Sequence, residues 1–252
     1  MDCRIALLLC LTACGRFGFD ERQRATDAPV TGDAAGDASG DAAIDAGPDG
    51  APAMVAQVQV GTVAQSAGGP ITTTLPAPST AGTLLAVAVA TNDPTSLALP
   101  AGWQTAVLQT SSGTCSAAIG YLPNNPGGVQ DIVVTINAGV PIDAIASEWS
   151  GATAVDVIGQ SSSNNPQTAQ AVQTAMPTTV ARAAAIAVFC EDANNPTYVV
   201  PNGWSVQGQF SNVSSSPSFV AEAITGLPAG VVMAAATSSI GGKYQAAIAT
   251  FR

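Results

Sequence analysis

The segment Pro100-Ala101-Gly102-Trp103 returns as Pro201-Asn202-Gly203-Trp204, an offset of 101, and the likeness extends to both sides. At the same offset Leu75-Pro76 matches Met176-Pro177, and Leu85-Ala86-Val87 matches Ile186-Ala187-Val188. Beyond the tryptophan one inserted residue moves the offset to 102, where Pro126-Gly127-Gly128 meets Pro228-Ala229-Gly230 and Trp149 meets Phe251. Residues 64–149 and 160–251 are therefore two divergent copies of one unit, and whatever structure one copy takes the other must take as well. Solenoid repeats are shorter and more numerous, which leaves a pseudo-twofold sandwich or two tandem sandwiches. Each copy has only about 90 residues and few large aromatics, so alone it would bury a modest fraction of its surface. One continuous sandwich of two halves is the expectation. The junction is its weak point, because Gln160 to Gln170 is polar and tandem domains would use it as a linker.

Within each copy the elements read as strands. Asp131 to Ile136 and Ile142 to Trp149 are apolar runs of strand length. Leu84 to Ala90 alternates Leu or Val with Ala, as expected of a strand buried on both faces with large side chains on one side and small ones on the other. Arg182 to Phe189 has the composition of a helix, but its partner in the first copy is richer in β-branched residues, so both are assigned as strands. Asn-Asn-Pro at 124–126, 164–166 and 194–196, and Pro-x-Gly before Trp103 and Trp204, supply turns. The fold class expected is all-β with very little helix.

An early strand from Ala81 to Val89, a Gly102-Trp103 turn and a last strand from Ala144 to Gly151 together resemble jelly-roll-like β-sandwich modules of bacterial surface proteins and lipoproteins. In the second copy the last element becomes Ala246 to Phe251 and loses the Glu. The resemblance covers residues 54–252 and implies a fold; it transfers no activity, because sandwiches host many functions.

Residues 1–13 read as a secretory signal: Arg4 and the amino terminus precede an apolar run, Ile5 to Leu11, far short of the ~20 residues of a spanning helix. Leu11-Thr12-Ala13-Cys14 resembles the lipobox of bacterial lipoproteins, which implies cleavage before Cys14, its acylation, and a membrane partner reached through lipid. Gly15 follows the cysteine, and by analogy with the family this favours the outer membrane of the cell envelope. Residues 14–53 then form a spacer. Asp33, Asp37, Asp41, Asp45 and Asp49 recur every fourth residue among Ala, Gly and Ser, a composition that cannot fill a core and is expected to be disordered. As flexible coil it would reach about 35 Å.

Of the seventeen acidic residues nine precede residue 50; residues 51–252 carry eight acids against Arg182, Lys243 and Arg252, a balance of −5. Nucleic acid is excluded as a partner, since three scattered cations cannot neutralise a phosphate backbone. There is no histidine, which removes Ser-His-Asp and Cys-His catalysis and His-ligated metal sites. No phosphate loop, dinucleotide fingerprint or nucleophile elbow is present, and no cofactor is expected. Gly241-Gly242-Lys243-Tyr244 reads as a turn entering a strand. Glu148, Glu191, Asp192 and Glu222 are the carboxylates from which a glycoside hydrolase would need two in one cleft.

Trp103, Trp204 and Tyr198 are candidates for stacking on a sugar, although Trp103 and Trp204 follow equivalent turns and equally suit core plugs. Cys115 and Cys190 remain after the leader and anchor are set aside, either as a disulfide or as buried apolar residues. The function expected is a non-catalytic, envelope-anchored lipoprotein serving adhesion or recognition of carbohydrate or another surface protein. The alternatives are a purely structural envelope module and, remotely, a carboxylate-based hydrolase.

Overall fold

The computed structural model describes residues 54–110, 115–211 and 217–252; the signal, Cys14 and the spacer lie outside them. The first copy contributes β1 (Ala56–Val60), β2 (Ala64–Ser66), β3 (Ile71–Thr74), β4 (Leu84–Thr91), β5 (Gln104–Gln109), β6 (Ser116–Leu122), β7 (Asp131–Val134) and β8 (Ile142–Ser150). The second contributes β9 (Val155–Gln173), β10 (Ala183–Glu191), β11 (Tyr198–Val199), β12 (Ser205–Phe210), β13 (Ser218–Leu227) and β14 (Met233–Phe251). Among the described residues the only helix is a 3-10 turn at Pro94–Ser96, capped by the Asp93 carboxylate on the Thr95 N–H.

The fold is an all-β, jelly-roll-like sandwich built from the repeat. One sheet runs β1-β8-β4-β6-β5, the other β9-β14-β10-β13-β12, and all pairings are antiparallel. Ala183–Glu191 is a strand despite its alanines, because β13 and β14 pair with it on both sides and tertiary pairing overrides local propensity. The two sheets pack face to face about a pseudo-twofold axis: β5 lies against β9 and β14, and β12 against β8. Each sheet also has an outer face with its own apolar cluster. β3 and β7 cover that face in the first repeat; in the second the far halves of β9 and β14, with β11, do so. Four β layers therefore enclose three cores.

Register corrects the sequence alignment. Leu85 pairs with Leu122 and Ala185 with Ile224, so β4 and β10 superpose at an offset of 100, not 101. Likewise Leu75 and Thr174 donate to equivalent carbonyls, Gln130 and Val232, an offset of 99, which makes Pro78 rather than Pro76 the counterpart of Pro177. Matching by residue type had placed large side chains on large ones. The structure places the large side chains of one copy where the other has small ones at the shared core: Ala86 corresponds to Ile186, Ala88 to Val188, Ala117 to Phe219, Ile119 to Ala221 and Ile145 to Ala247, all in one cluster. Gly208 shows the fit most directly, since a Cβ there would sit 2.6 Å from Ile145 Cδ1 and 2.5 Å from Val63 Cγ2. Such interdigitation is what packing two sheets to crystalline density requires.

Gln160 to Gln170, which tandem domains would have used as a linker, belong to the 19-residue strand β9, and Asn164-Asn165-Pro166, expected as a turn, lies within it. Ser163 pairs with Tyr244 and Gln167 with Gly242, so four steps on β9 meet two on β14 and the strand bulges. Gly241-Gly242-Lys243-Tyr244 is likewise part of this bend inside β14 rather than a turn before it, with Gly241 at φ +79°. Both strands cross there from the main sheet to the outer layer. The layers meet backbone to backbone at Gly159, where a Cβ would lie 1.8 Å from the Gln173 carbonyl oxygen, and at its counterpart Gly61, 2.9 Å from that of Thr74.

Cys115, at the entry to β6, is bonded to Cys190 of β10 across the shared core, with Cα atoms 6.0 Å apart. It closes a loop of sequence separation 75, worth about 4 kcal/mol on the chain-entropy account. Because half of each main sheet's apolar surface is covered by the other repeat, residues 54–157 alone should fail to fold and the full chain should melt in one transition. Gly159→Ala should lower that transition by at least about 2 kcal/mol of stability, since backbone must move. Calorimetry resolving two transitions, one reproduced by the fragment, would contradict the shared core.

Candidate functional site

The repeat supplies an internal reference for what the fold needs, and it singles out one end of the second copy. In the first repeat the outer core ends in Ile71, Thr91, Leu97, Ile136 and Ile142. The structurally equivalent positions of the second are Gln170, Glu191, Tyr198, Ser238 and Tyr244, all buried. Glu191, on the main-sheet strand β10, is the node. Ser238 Oγ of β14 donates to its Oε1 at 2.6 Å, Gln170 Nε2 of β9 donates to Oε2, and the Tyr198 phenol of β11 lies beside it. Every strand of the covering layer thus reaches the same carboxyl. Tyr244, paired with Glu191 across the sheet, donates its hydroxyl to the Ala171 carbonyl at 3.3 Å.

Burial pushes the Glu191 carboxyl above its ordinary range against the opposing pull of Ser238, Tyr198 and Gln170, and the neighbouring Asp192 charge adds to the rise. Burial, and then the Glu191 charge, push the Tyr198 phenol up. Gln170 Oε1 and the Tyr198 hydroxyl have no hydrogen-bond acceptor or donor of normal geometry among the described residues. The node thus gathers a carboxyl, an amide, two phenols and the Ser238 hydroxyl, all buried.

The other carboxylates named from sequence are dispersed. Glu148 faces a loop of the first repeat, accepting from the Thr80 N–H at 2.7 Å, Thr83 Oγ1 at 2.8 Å and Gln59 Nε2 at 2.5 Å. Burial works to raise its pKa, yet these donors together hold it below the ordinary value. Its counterpart in the second repeat is Thr250, and the equivalent loop is held instead by Asp156, which accepts from the Thr179 N–H at 2.7 Å and lies 3.8 Å from the Arg252 guanidinium. The Glu of the sequence motif is therefore a loop clamp, and its loss in the second copy is compensated from the next strand. Asp192 accepts from the Lys243 N–H at 2.7 Å. Glu222 shares the outer face of its sheet with Glu191, but Ala187 rather than Glu191 is opposite it, and four residues along a strand is about 13 Å. Glycoside hydrolysis needs carboxyls about 5–10 Å apart in one cleft; Glu222 lies farther than that along the strand from Glu191, and Glu148 belongs to the other sheet.

Among the described residues Glu222 and Asp143 are the two buried carboxyls without a well-formed hydrogen bond. Glu222 takes the place of Gly120 in the first repeat, where the Leu99 side chain fills the space instead. The Ala235 N–H is the donor beside it, and burial pushes its carboxyl up to about 8. Asp143 lies on the shared-core side of β8, across from Ala90, and burial alone pushes it to about 8.

The three aromatics proposed for stacking do not share a surface. Tyr198 is buried, Trp204 is half-buried against the outer core of the second repeat, and Trp103 is half-buried against that of the first. Two sheets separate the tryptophans. Trp103 does line a 230 Å³ hollow with Leu97, Leu99 and Leu108. A larger groove of 390 Å³ runs along the seam of the repeats, lined by Ala106 and Tyr121 on one side and Val155, Ile158 and Met176 on the other. Sequence reasoning missed it, because its walls come from β5 and β6 of one repeat and β9 of the other, which belong to different sheets.

No protein-family model, curated protein or solved structure matches this chain. Its reading rests on its own residues.

The raised carboxyls fix the sign of a pH effect. The folded state binds protons on Asp143, Glu222 and Glu191 more tightly than the unfolded chain does, so their contribution to stability is full at acid pH. It is lost as pH rises from about 4 through 8, by roughly a few kcal/mol for each of Asp143 and Glu222. Asp143→Asn and Glu222→Gln should therefore raise the denaturation midpoint at pH 8.5 and leave it nearly unchanged at pH 4.5. Equal effects at both pH values would refute the assignment.

Proposed function

We propose that this chain is an envelope lipoprotein, acylated at Cys14 after removal of residues 1–13 and held at the outer membrane, whose sandwich acts without catalysis in recognition or adhesion. Leu11-Thr12-Ala13-Cys14 and the Asp-rich spacer support the anchoring. The seam groove is the observation that carries recognition: a 390 Å³ trough walled mainly by apolar side chains, with Thr105, Asp156 and the Tyr121 hydroxyl, which donates to Gln104 Oε1 at 2.6 Å, as its polar groups. A mostly apolar cleft with a few placed polar groups is the usual make-up of a site for a small ligand or for a side chain of a partner. The ligand classes it suits are a carbohydrate presenting an apolar ring face and an apolar side chain of another surface protein.

Two measurements test the reading. Cys14→Ala should abolish incorporation of a fatty-acid analogue and release the protein from membranes; retention of label and membrane would refute the anchor. Titration of the chain against an array of glycans and of envelope proteins should give ligands whose affinity falls at least about tenfold in Tyr121→Ala, as for a central contact. Binding unaffected by that substitution, or no binding at all, would leave the domain as a structural module.

A further inference from the structure

The covering layers of the two repeats are held down by different means. In the first, Ile71, Leu97, Ile136 and Ile142 close the outer core by apolar contact. In the second, the far halves of β9 and β14 and the short β11 each send one polar side chain, Gln170, Ser238 and Tyr198, to the same fully buried carboxyl, Glu191. The first repeat has Thr91 at that position, so the layer folds without an acid beneath it. The second layer is also incompletely satisfied when closed, since Gln170 Oε1 and the Tyr198 hydroxyl are buried without a well-formed partner among the described residues. Each such group costs about 1–3 kcal/mol, which lowers the stability of the closed layer.

We propose that Glu191 is a proton-operated latch: protonated, it fastens residues 167–173, 198–199 and 233–240 over the outer core of the second repeat, and on losing its proton it releases them. The carboxyl has no counter-charge. Around it stand Gln170 from β9, Ser238 and Tyr244 from β14, Tyr198 from β11, Ser218 opposite on β13, and Asp192 next in the chain. Asp143 of the first repeat lies near enough to Tyr198 to push its phenol up. Lys243, beside Tyr244, meets Asp192 through its main-chain N–H and carbonyl, and the ion pair among the described residues, Arg252 with Asp156, lies elsewhere. Burying an unpaired carboxylate with two further acids nearby is unfavourable. Burial accordingly raises the Glu191 carboxyl against the pull of Ser238, Tyr198 and Gln170. The closed layer thus binds the Glu191 proton more tightly than the open one, so the latch is at full strength in acid and weakens as pH rises above the ordinary carboxylate range. Release uncovers Val172, Ala234 and Ala236 of the layer and Phe189 of the sheet beneath. Off the core, the ribbon of β9 and β14 is too small to keep its own structure.

Thiol accessibility in the two layers provides the test. Ala236 and Val134 are equivalent, inward-facing and buried, one in each covering layer. In the full chain bearing Cys3→Ser, Cys10→Ser and Cys14→Ser, Ala236→Cys and Val134→Cys each add one thiol outside the Cys115–Cys190 bond. Their rates of reaction with a pyridyl disulfide are compared between pH 4.5 and 8.5, and the ratio of the two cancels the titration of the thiol itself. That ratio should rise at least about tenfold with pH, and Glu191→Gln should make it independent of pH within about twofold. As a readout without any introduced thiol, amide exchange at residues 233–237, taken relative to 131–135, should speed up over the same range. A ratio that does not change, which is also the result of global unfolding, overturns the proposal. So does a rise that persists in Glu191→Gln, and one abolished by Asp143→Asn in its place would move the titration to Asp143.

Discussion

The sandwich depends on the fit between two sheets built from divergent copies of one unit. Two identical sheets stacked about a twofold axis would set alanine on alanine along one line and isoleucine on isoleucine along the next, leaving voids and clashes together. Here the copies have exchanged volume: the inward side of β4 is Ala86, Ala88 and Ala90, while that of β10 is Ile186, Val188 and Cys190. Each copy is thus the complement of the other rather than its duplicate. The exchange sets the register, locates the disulfide between Cys115 and Cys190, and makes the two halves depend on each other.

The covering layers show what remains free once that constraint is met. The first repeat closes its outer core with Ile71, Leu97 and Ile136 and turns Asp131 and Val133 outward. The second closes it with Gln170, Tyr198 and Ser238 converging on Glu191, and turns Val199 and Met233 outward. Burying a carboxyl is unfavourable unless it is hydrogen-bonded, and leaving large apolar side chains in water forgoes their burial. Since the same layer folds without a buried carboxyl in the first copy, folding does not account for it.

The clamps on the equivalent loops make the same point from the structural side. Glu148 holds the Thr80 N–H in one copy and Asp156 the Thr179 N–H in the other. The loop amide needs an anionic acceptor, but nothing requires that acceptor to come from a particular strand, so the motif residue drifted while its interaction did not. The pKa of Glu148, held down by its donors against burial, contrasts with that of Asp143, which burial raises with no donor to offset it.

The repeat, the all-β class and the identity of the buried strands were legible in the sequence, because alternation of side chains across a strand and turn residues at fixed spacing are local properties. Leu84–Thr91 and Ile142–Ser150 could be read directly, and even the helix-like Ala183–Glu191 could be assigned from its partner copy. Register was not legible: matching residue types aligned Leu85 with Ile186, whereas the packed sheets require unlike sizes at equivalent positions, so the true correspondence is Ala86 with Ile186. The long strands β9 and β14 were hidden for a related reason, since a bulge at Asn164-Asn165-Pro166 and at Gly241 looks in sequence like a turn and becomes a bend only when two neighbouring strands continue through it. The Glu191 node and the seam groove were decided by tertiary structure alone. Each is assembled from strands far apart along the chain, and the sequence records the residues without recording which of them meet.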